Sequence, residues 1–406
     1  MKPQCIIPWV YMEIFPDGTV TPCCSNWMSL GNIKDTKIED IFNSDQMNKF
    51  RLEMLGETLP SSCSGCSAIE NYGGNEKSLR SKYNKVFESS FSEVNQNTNT
   101  DGSLKKIKFK GWDFKISNKC NFKCRMCCPE LSTRINQENK EHSLRHFNKE
   151  VFDHSTYLNI PDFVDKYIDD FELIEFAGGE TLLMDDQYYL LQTLIERGRT
   201  NINLWYNTNM SVLKYKNKNI LDYWRQWDPD KLKVYASIDE IGERAEYIRS
   251  GTVWNAVEKN LKIISKEKFK RHTNITVTCY NIFRLPEIIQ HLMDIGYVSE
   301  DYNYRNFDLS LETSDWNISI LTDEFREEIK NKLLEFINKY PSDISDIFVD
   351  ILNCLQTPMN VQSAKKFLIY NTKIDKIRGE KGFNIIPELL DIVNYFKTQN
   401  ETPQRP

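Results

Sequence analysis

Nine of the eleven cysteines in this chain of 406 residues fall into groups. Cys120, Cys124, Cys127 and Cys128 lie together in the stretch "SNKCNFKCRMCCPE". Thiolates oxidise and scavenge metals, so cysteines this dense point to a metal centre. The first three have the spacing C-x3-C-x2-C. Three thiolates on one loop suit three irons of a [4Fe–4S] cube and leave the fourth iron open to a small ligand. A structural zinc ion takes four protein ligands, and Cys128, adjoining Cys127, is badly placed to be the fourth. Zinc, or buried reduced cysteines, remains the alternative on spacing alone. A second group comes earlier: Cys5, Gly18 and Cys23 stand as C-x12-G-x4-C, Cys24 adjoins Cys23, and Cys63 and Cys66 stand as C-x2-C. A four-cysteine zinc site fits that spacing equally well. The five histidines are not interleaved with either group, which argues against mixed Cys/His zinc fingers.

The bulk composition narrows the setting. An odd number of cysteines in a chain this long is no disulfide framework. Hydrophobic content of 40% and charged content of 27% are ordinary for a globular protein. No run of 18 apolar residues marks a transmembrane helix. The start, "MKPQCIIPWVYMEIF", lacks a signal-peptide pattern, so a cytoplasmic protein with no membrane partner is expected. A net charge of −6 gives no clear nucleic-acid footprint.

Elements that would hold these cysteines follow from periodicity and turn residues. "WVYMEIFPDGTVTPCC" predicts two short strands around a Pro16-Asp17-Gly18 turn. "KIEDIFNSDQMNKFRLEML" carries Ile38, Phe42 and Phe50 at helical spacing, so residues 1–86 are expected as a small α+β unit. Residues 87–106, with "NQNTNTDG" at their centre, have a linker's composition. Across 107–321, strands and helices alternate. The six expected strands are "KFKGWDFKIS", "DFELIEFAGGE", "NINLWYNTN", "KLKVYASID", "NITVTCYN" and "YRNFDLSLE". Repeated β-then-α units imply a parallel sheet, open or curled toward a barrel. Residues 322–406 are expected to be helical. The fold class is therefore α/β.

The loop "CNFKCRMC" resembles the signature of the radical S-adenosylmethionine (radical SAM) superfamily. Further matches stand at successive strand ends. Gly178, Gly179 and Glu180 resemble the family's Gly-Gly-Glu, and "YNTN", ending at Asn209, resembles its Thr-Asn-Gly with Met210 in place of the glycine. Ser237, Asp239 and Arg249 in "YASIDEIGERAEYIRSG" match the fourth-strand pattern, and Asn281 matches after the fifth. The resemblance implies a partial (β/α)6, TIM-like barrel. It implies that Cys120, Cys124 and Cys127 hold the SAM-binding cluster, with Met126 near the adenine, Glu180 on the amino group, and Ser237 and Arg249 on ribose and carboxylate. In this context the N-terminal cysteines resemble twitch/SPASM modules. That implies an auxiliary [4Fe–4S] cluster on Cys5, Cys23, Cys63 and Cys66, with Cys24 as the rival for one place.

The resemblance implies an enzyme with two [4Fe–4S] clusters. It would reductively cleave S-adenosyl-L-methionine to a 5′-deoxyadenosyl radical, which takes a hydrogen atom from substrate. A reductase such as flavodoxin or ferredoxin would supply the electron. Modification of a peptide or protein is the favoured substrate class; oxidation or rearrangement of a small molecule is the second. A non-catalytic metal-binding or scaffold protein is the alternative of a different kind. Strand alternation along "TVTCYN" would put Cys279 on the same face as Asn281, as an inward hydrogen donor; a buried core thiol is the plainer role.

Overall fold

The computed structural model describes residues 4–26, 28–56, 58–73, 78–144, 159–298, 307–312, 314–340 and 345–401. Nine strands form its main sheet: β1 Tyr11–Ile14, β2 Thr19–Thr21, β3 Gly31–Asn32, β4 Gly111–Phe114, β5 Leu173–Phe176, β6 Asn203–Thr208, β7 Leu232–Ser237, β8 Lys270–Val277 and β9 Phe307–Leu311. Their spatial order is β9-β8-β7-β6-β5-β4-β1-β2-β3. From β4 to β9 every neighbouring pair is parallel, as the alternating helices require. All six strands expected from the sequence are present, the last of them from Phe307 onward, with 304–306 outside the described residues. The sheet stays open and does not close into a barrel.

The N-terminal hairpin joins this sheet. β1 pairs in parallel with β4, and β2 and β3 continue outward as an antiparallel meander. Each residue of β1 is buried, as expected of a strand covered on both faces. The stretch 87–106 is no loose connector either. It contains the helical turns Glu88–Ser92 and Val94–Asn97, and Phe87 and Val94 are buried. Gly111 shows why Phe87 fits: a Cβ there would lie 2.5 Å from the Phe87 ring and 2.5 Å from the Tyr11 ring. Arg51 ties the segment together by donating to the carbonyls of Pro8, Phe42 and Gly102 and to Asn48.

The strands have one dry face and one polar face. Along β7, Leu232, Val234 and Ala236 are buried in the core that also holds Val257, Leu261 and Ile264. Lys233, Tyr235 and Ser237 alternate onto the other face and are only partly buried. Register carries that polar face sideways, through Asn207 on β6 and His272 on β8, both opposite Tyr235. The helix Leu79–Val86 crosses its N-terminal part. There Tyr83 donates to Glu175 Oε2 (2.7 Å), and Lys82 pairs with Asp308 (3.3 Å).

The C-terminal region contributes helices Asp323–Ile337, Ser345–Leu355, Val361–Arg378 and Leu390–Glu401. Among the described residues no helix is long and apolar enough to cross a membrane.

Candidate iron–sulfur and cofactor site

The Cys120–Cys128 group sits just beyond the C-terminal end of β4. Lys123–Cys124 forms a two-residue antiparallel ladder with Arg249–Ser250, and Cys124 is the direct partner of Arg249. Arg125 N donates to Ile248 O (2.9 Å), and Cys127 N to Cys124 O (3.1 Å). Ser132 anchors the far side: its hydroxyl donates to Phe122 O (2.9 Å) and caps the helix Thr133–His142. Gly251 is needed for this contact. Its φ is +107°, and a Cβ would lie 2.9 Å from Asn121 O.

Cys120, Cys124 and Cys127 lie near enough to act on one another electrostatically. Burial pushes the Cys120 thiol up to about 12, with Cys124 and Glu180 adding and Arg249 opposing. Burial also raises Cys124, while Arg249 lowers it. A hydrogen bond with Cys128 and then burial raise Cys127 well above its usual range, with Cys124 and Cys120 contributing. The surroundings thus disfavour the thiolate form at all three positions. Met126 is half-buried beside them.

Glu180, Asn209, Asp239, Arg249 and Asn281 are brought to the same end of the sheet, each with partners. Glu180 Oε1 accepts from Thr208 Oγ1 (2.7 Å) and Leu182 N (3.2 Å), and Oε2 accepts from Asn209 N (2.7 Å). A carboxylate has about four lone-pair sites, so one stays open for a further donor. Asn209 Nδ2 donates to Asn121 Oδ1 (2.9 Å), linking the β6 end to the cysteine loop. Arg249 Nη1 donates to Asp239 Oδ2 (2.7 Å), and Asp239 Oδ1 accepts from Thr276 N (2.8 Å). Burial works against the Arg249 charge, but Cys124 and Asp239 more than restore it. Its Nε is buried without a hydrogen-bond partner among the described residues, a donor left for an anionic ligand. Ser237 ends β7 on the polar face.

Gly178 and Gly179 serve the protein backbone. Gly178 has φ +101°, Gly179 N donates to Ser117 O (3.2 Å) and Glu180 N donates to Lys119 O (2.8 Å). A Cβ on Gly179 would collide with the Lys119 carbonyl. The pair thus braces the stem of the cysteine loop. Met210 is buried with φ +56°, the left-handed conformation that a glycine takes freely. Met210→Gly would relieve about 1–2 kcal/mol of backbone strain and lose about 2–5 kcal/mol of buried side chain. A net loss of about 0–4 kcal/mol is expected in urea unfolding, and a gain would show that the strain dominates.

Two expectations change at β8. The strand ends at Val277, so alternation does not extend to Cys279 and Asn281. Cys279 is buried, with its amide donating to Trp316 O (2.9 Å), and burial pushes its thiol well up. Asn281 precedes the turn Ile282–Arg284; its Nδ2 donates to Asp239 O (2.8 Å) and Thr276 O (2.9 Å), and Oδ1 accepts from Thr278 N (2.8 Å). It therefore positions Asp239 through the backbone.

Sequence reasoning missed a clasp under the loop. Arg125 is buried between two cysteines and lies 3.7 Å from the Tyr247 ring centroid. Its guanidinium donates to Asn371 Oδ1 (2.8 Å), Asp375 Oδ1 (2.6 Å) and Glu380. Arg378 pairs with Glu138 (2.7 Å), which also accepts from Lys123 (2.9 Å). The signal is present as Asn371 and Asp375 at i, i+4 with Arg378 next, a polar stripe on the helix Val361–Arg378.

The N-terminal cysteines also act on one another. Burial pushes Cys5 well up, with Cys23, Cys63 and Cys66 each adding. It pushes Cys23 up to about 12, with Cys66 and Cys63 adding. Cys24 is also raised by burial, but beyond Cys23 its charged neighbours are Glu175 and Asp113 on the polar face. Among the described residues no group of three or more Cys, His, Asp or Glu side chains closes tightly enough for a single metal ion.

Residues 5–67 match the SPASM family, an iron–sulfur cluster-binding domain. No curated protein matches the chain. Among solved structures, native anSMEcpe with bound AdoMet shares 13% identity at a TM-score of 0.39, over 64% of this chain and 67% of its own. Streptococcus suis SuiB bound to precursor peptide SuiA shares 13% identity at a TM-score of 0.38, over 72% of this chain and 63% of its own. Both likenesses are slight. The span from 5 to 67, which matches an iron–sulfur cluster-binding domain, is joined edge to edge with an open, largely parallel α/β sheet.

Proposed function

We propose that this protein is a radical SAM enzyme with one auxiliary cluster. Cys120, Cys124 and Cys127 would hold the cluster that binds S-adenosylmethionine, and Cys5, Cys23, Cys63 and Cys66 the auxiliary [4Fe–4S] cluster. The observation that carries this reading is the Cys120–Cys127 loop at one end of a parallel sheet, with Cys124 paired to Arg249 and Cys120 within the field of Cys124, Glu180 and Arg249. When bound, these groups supply reductive cleavage of the sulfonium and hydrogen-atom abstraction from substrate. The chain's own residues bind and orient. Glu180 offers its remaining lone pair to an ammonium, and Arg249 offers Nε to a carboxylate. Asp239 fixes the Arg249 fork, and Thr276 and Asn281 fix Asp239. The polar face of β4 to β9 is then the substrate surface, with the Leu79–Val86 helix closing its far end. An organic substrate such as a peptide side chain fits a surface of this mixed polarity. Anaerobic reconstitution with iron and sulfide, followed by a strong one-electron reductant and S-adenosylmethionine, should yield 5′-deoxyadenosine. Its absence from a brown, iron-loaded protein would overturn the assignment.

A further inference from the structure

The cysteine loop has one covered flank and one that reaches the surface. On the Arg125 side the helix Val361–Arg378 clasps it. On the other side Cys120 is half-buried and its neighbour Lys119 is exposed. A hairpin stands against that open flank. Lys214–Tyr215 pairs with Lys218–Asn219 in antiparallel register, so Lys216 and Asn217 make a two-residue turn, Lys216 with φ +53°. Its stem holds the residues on both sides of Cys120. Lys119 Nζ donates to Tyr215 Oη (3.0 Å), and Asn121 Nδ2 donates to Ser211 Oγ (2.9 Å).

The hairpin makes that flank electropositive. Lys214, Lys216 and Lys218 recur at every second residue, and the Lys216 and Lys218 side chains are 58% and 38% exposed. Lys119 and Lys216 each lie 5.1 Å from the Tyr215 ring centroid, so two ammonium groups share one aromatic ring. Three of the cations meet at Asp185: a hydrogen bond from Lys216 and the charges of Lys216, Lys218 and Lys119 hold its carboxyl below the usual range. Asp185 and its neighbour Asp186 offset two of the four lysines. A surplus of two positive charges remains, on a chain whose net charge is −6. Exposed pairs such as Lys216–Asp185 hold their partners weakly, so these ammonium groups can exchange them for an incoming anion.

We propose that Lys214, Lys216 and Lys218, with Tyr215 and with Lys119 beside Cys120, form the docking surface for an acidic one-electron carrier protein. The proposal rests on the reading of Cys120, Cys124 and Cys127 as cluster ligands. A centre that spends an electron in each turnover needs a donor that approaches from outside the substrate face. On this flank a ligand loop and a positively charged surface coincide. One electron passes from the reduced carrier to the oxidised cluster, and no bond is made or broken. The carrier must then leave, and exposed, solvated lysines favour fast encounter over tight binding.

The test uses the anaerobically reconstituted full chain, an acidic flavodoxin as the carrier, and dithionite as a small reductant that needs no docking. Calorimetry with oxidised flavodoxin reads binding, and 5′-deoxyadenosine formed from S-adenosylmethionine reads electron delivery. Flavodoxin should bind, and raising the salt from about 0.05 to about 0.3 M should weaken binding about tenfold. Lys214→Glu, Lys216→Glu and Lys218→Glu together should weaken binding and slow the flavodoxin-driven rate about tenfold. The dithionite-driven rate and the iron content should stay within about twofold of wild type. The corresponding triple glutamine variant should fall between the two. No binding, binding indifferent to salt, or equal binding by wild type and both variants would each overturn the surface. So would an equal loss of the dithionite-driven rate, which would show the hairpin acting on the cysteine loop itself. Weak binding with an unchanged flavodoxin-driven rate would assign the lysines to another acidic partner, such as a substrate peptide, and overturn the docking too. If flavodoxin binds through the lysines while dithionite yields no 5′-deoxyadenosine, the enzyme assignment alone fails. If dithionite yields it and flavodoxin binds wild type and variants alike, the docking surface alone fails.

Discussion

Replacing Cys120, Cys124 and Cys127 together by alanine is expected to halve the iron content, from about eight to about four atoms per chain, and to abolish 5′-deoxyadenosine formation. The proposed function gives the chain two independent cubes. The Cys120–Cys127 loop hangs from β4 and pairs with Arg249–Ser250, whereas Cys5, Cys23, Cys63 and Cys66 belong to the SPASM-type span. The cysteines that raise Cys5 and Cys23 are all N-terminal ones, which fits two separate ligand sets. Iron and acid-labile sulfide should fall in parallel, and the remaining brown colour should belong to the N-terminal cluster. A Cys128→Ala protein should keep about eight irons, because Cys128 adjoins a ligand instead of completing the set. Total loss of iron in the triple variant would mean that the two centres assemble as one. Zinc in place of iron would remove the enzyme reading altogether.

Much of this site is legible in the residue pattern. The cysteine spacings, the glycine pair before Glu180 and the six β-then-α units depend on local sequence, and the strands fall where the periodicity places them. Non-local pairing is not legible in that way. Nothing in "WVYMEIF" states that β1 will pair with β4, about a hundred residues away, because any buried apolar strand can extend a sheet edge. The polar stretch around "NQNTNTDG" has the composition of a connector, yet Asn97 and Asn99 spend their side chains on Lys106 and Ser103 and fold it back on itself. At Cys279 the discrepancy is one of element length: the strand stops at Val277, and a period-two argument has no force past the last paired residue. The helical tail is the largest gap. Its partner in space, Arg125, is 246 to 255 residues away in sequence from Asn371, Asp375 and Glu380.

That tail leads to the second large effect. Arg125→Met should cost about 3–5 kcal/mol in denaturant unfolding of the full chain, the range for removing one partner of a buried ion pair. The side chains of Arg125 and Asp375 are 1% and 11% exposed, so solvent screens the pair little. The variant leaves the Asp375 carboxylate and the Asn371 carbonyl without their guanidinium, and Tyr247 and Tyr280, which also donate to Asn371, would have to satisfy them. Stability alone would not show that the clasp positions the loop, so iron content supplies the separate readout. Arg125 lies between Cys124 and Cys127, and freeing it should loosen those thiols while leaving Cys5, Cys23, Cys63 and Cys66 untouched. The expected protein loses about four irons and keeps about four. Arg125→Met combined with Asp375→Leu removes both charges, and a pair replaced by apolar groups regains most of the lost stability. If iron content returns along with stability in the double variant, the clasp acts only by keeping the protein folded. If stability returns and the iron does not, the hydrogen-bonded fork itself sets the geometry of the cysteine loop.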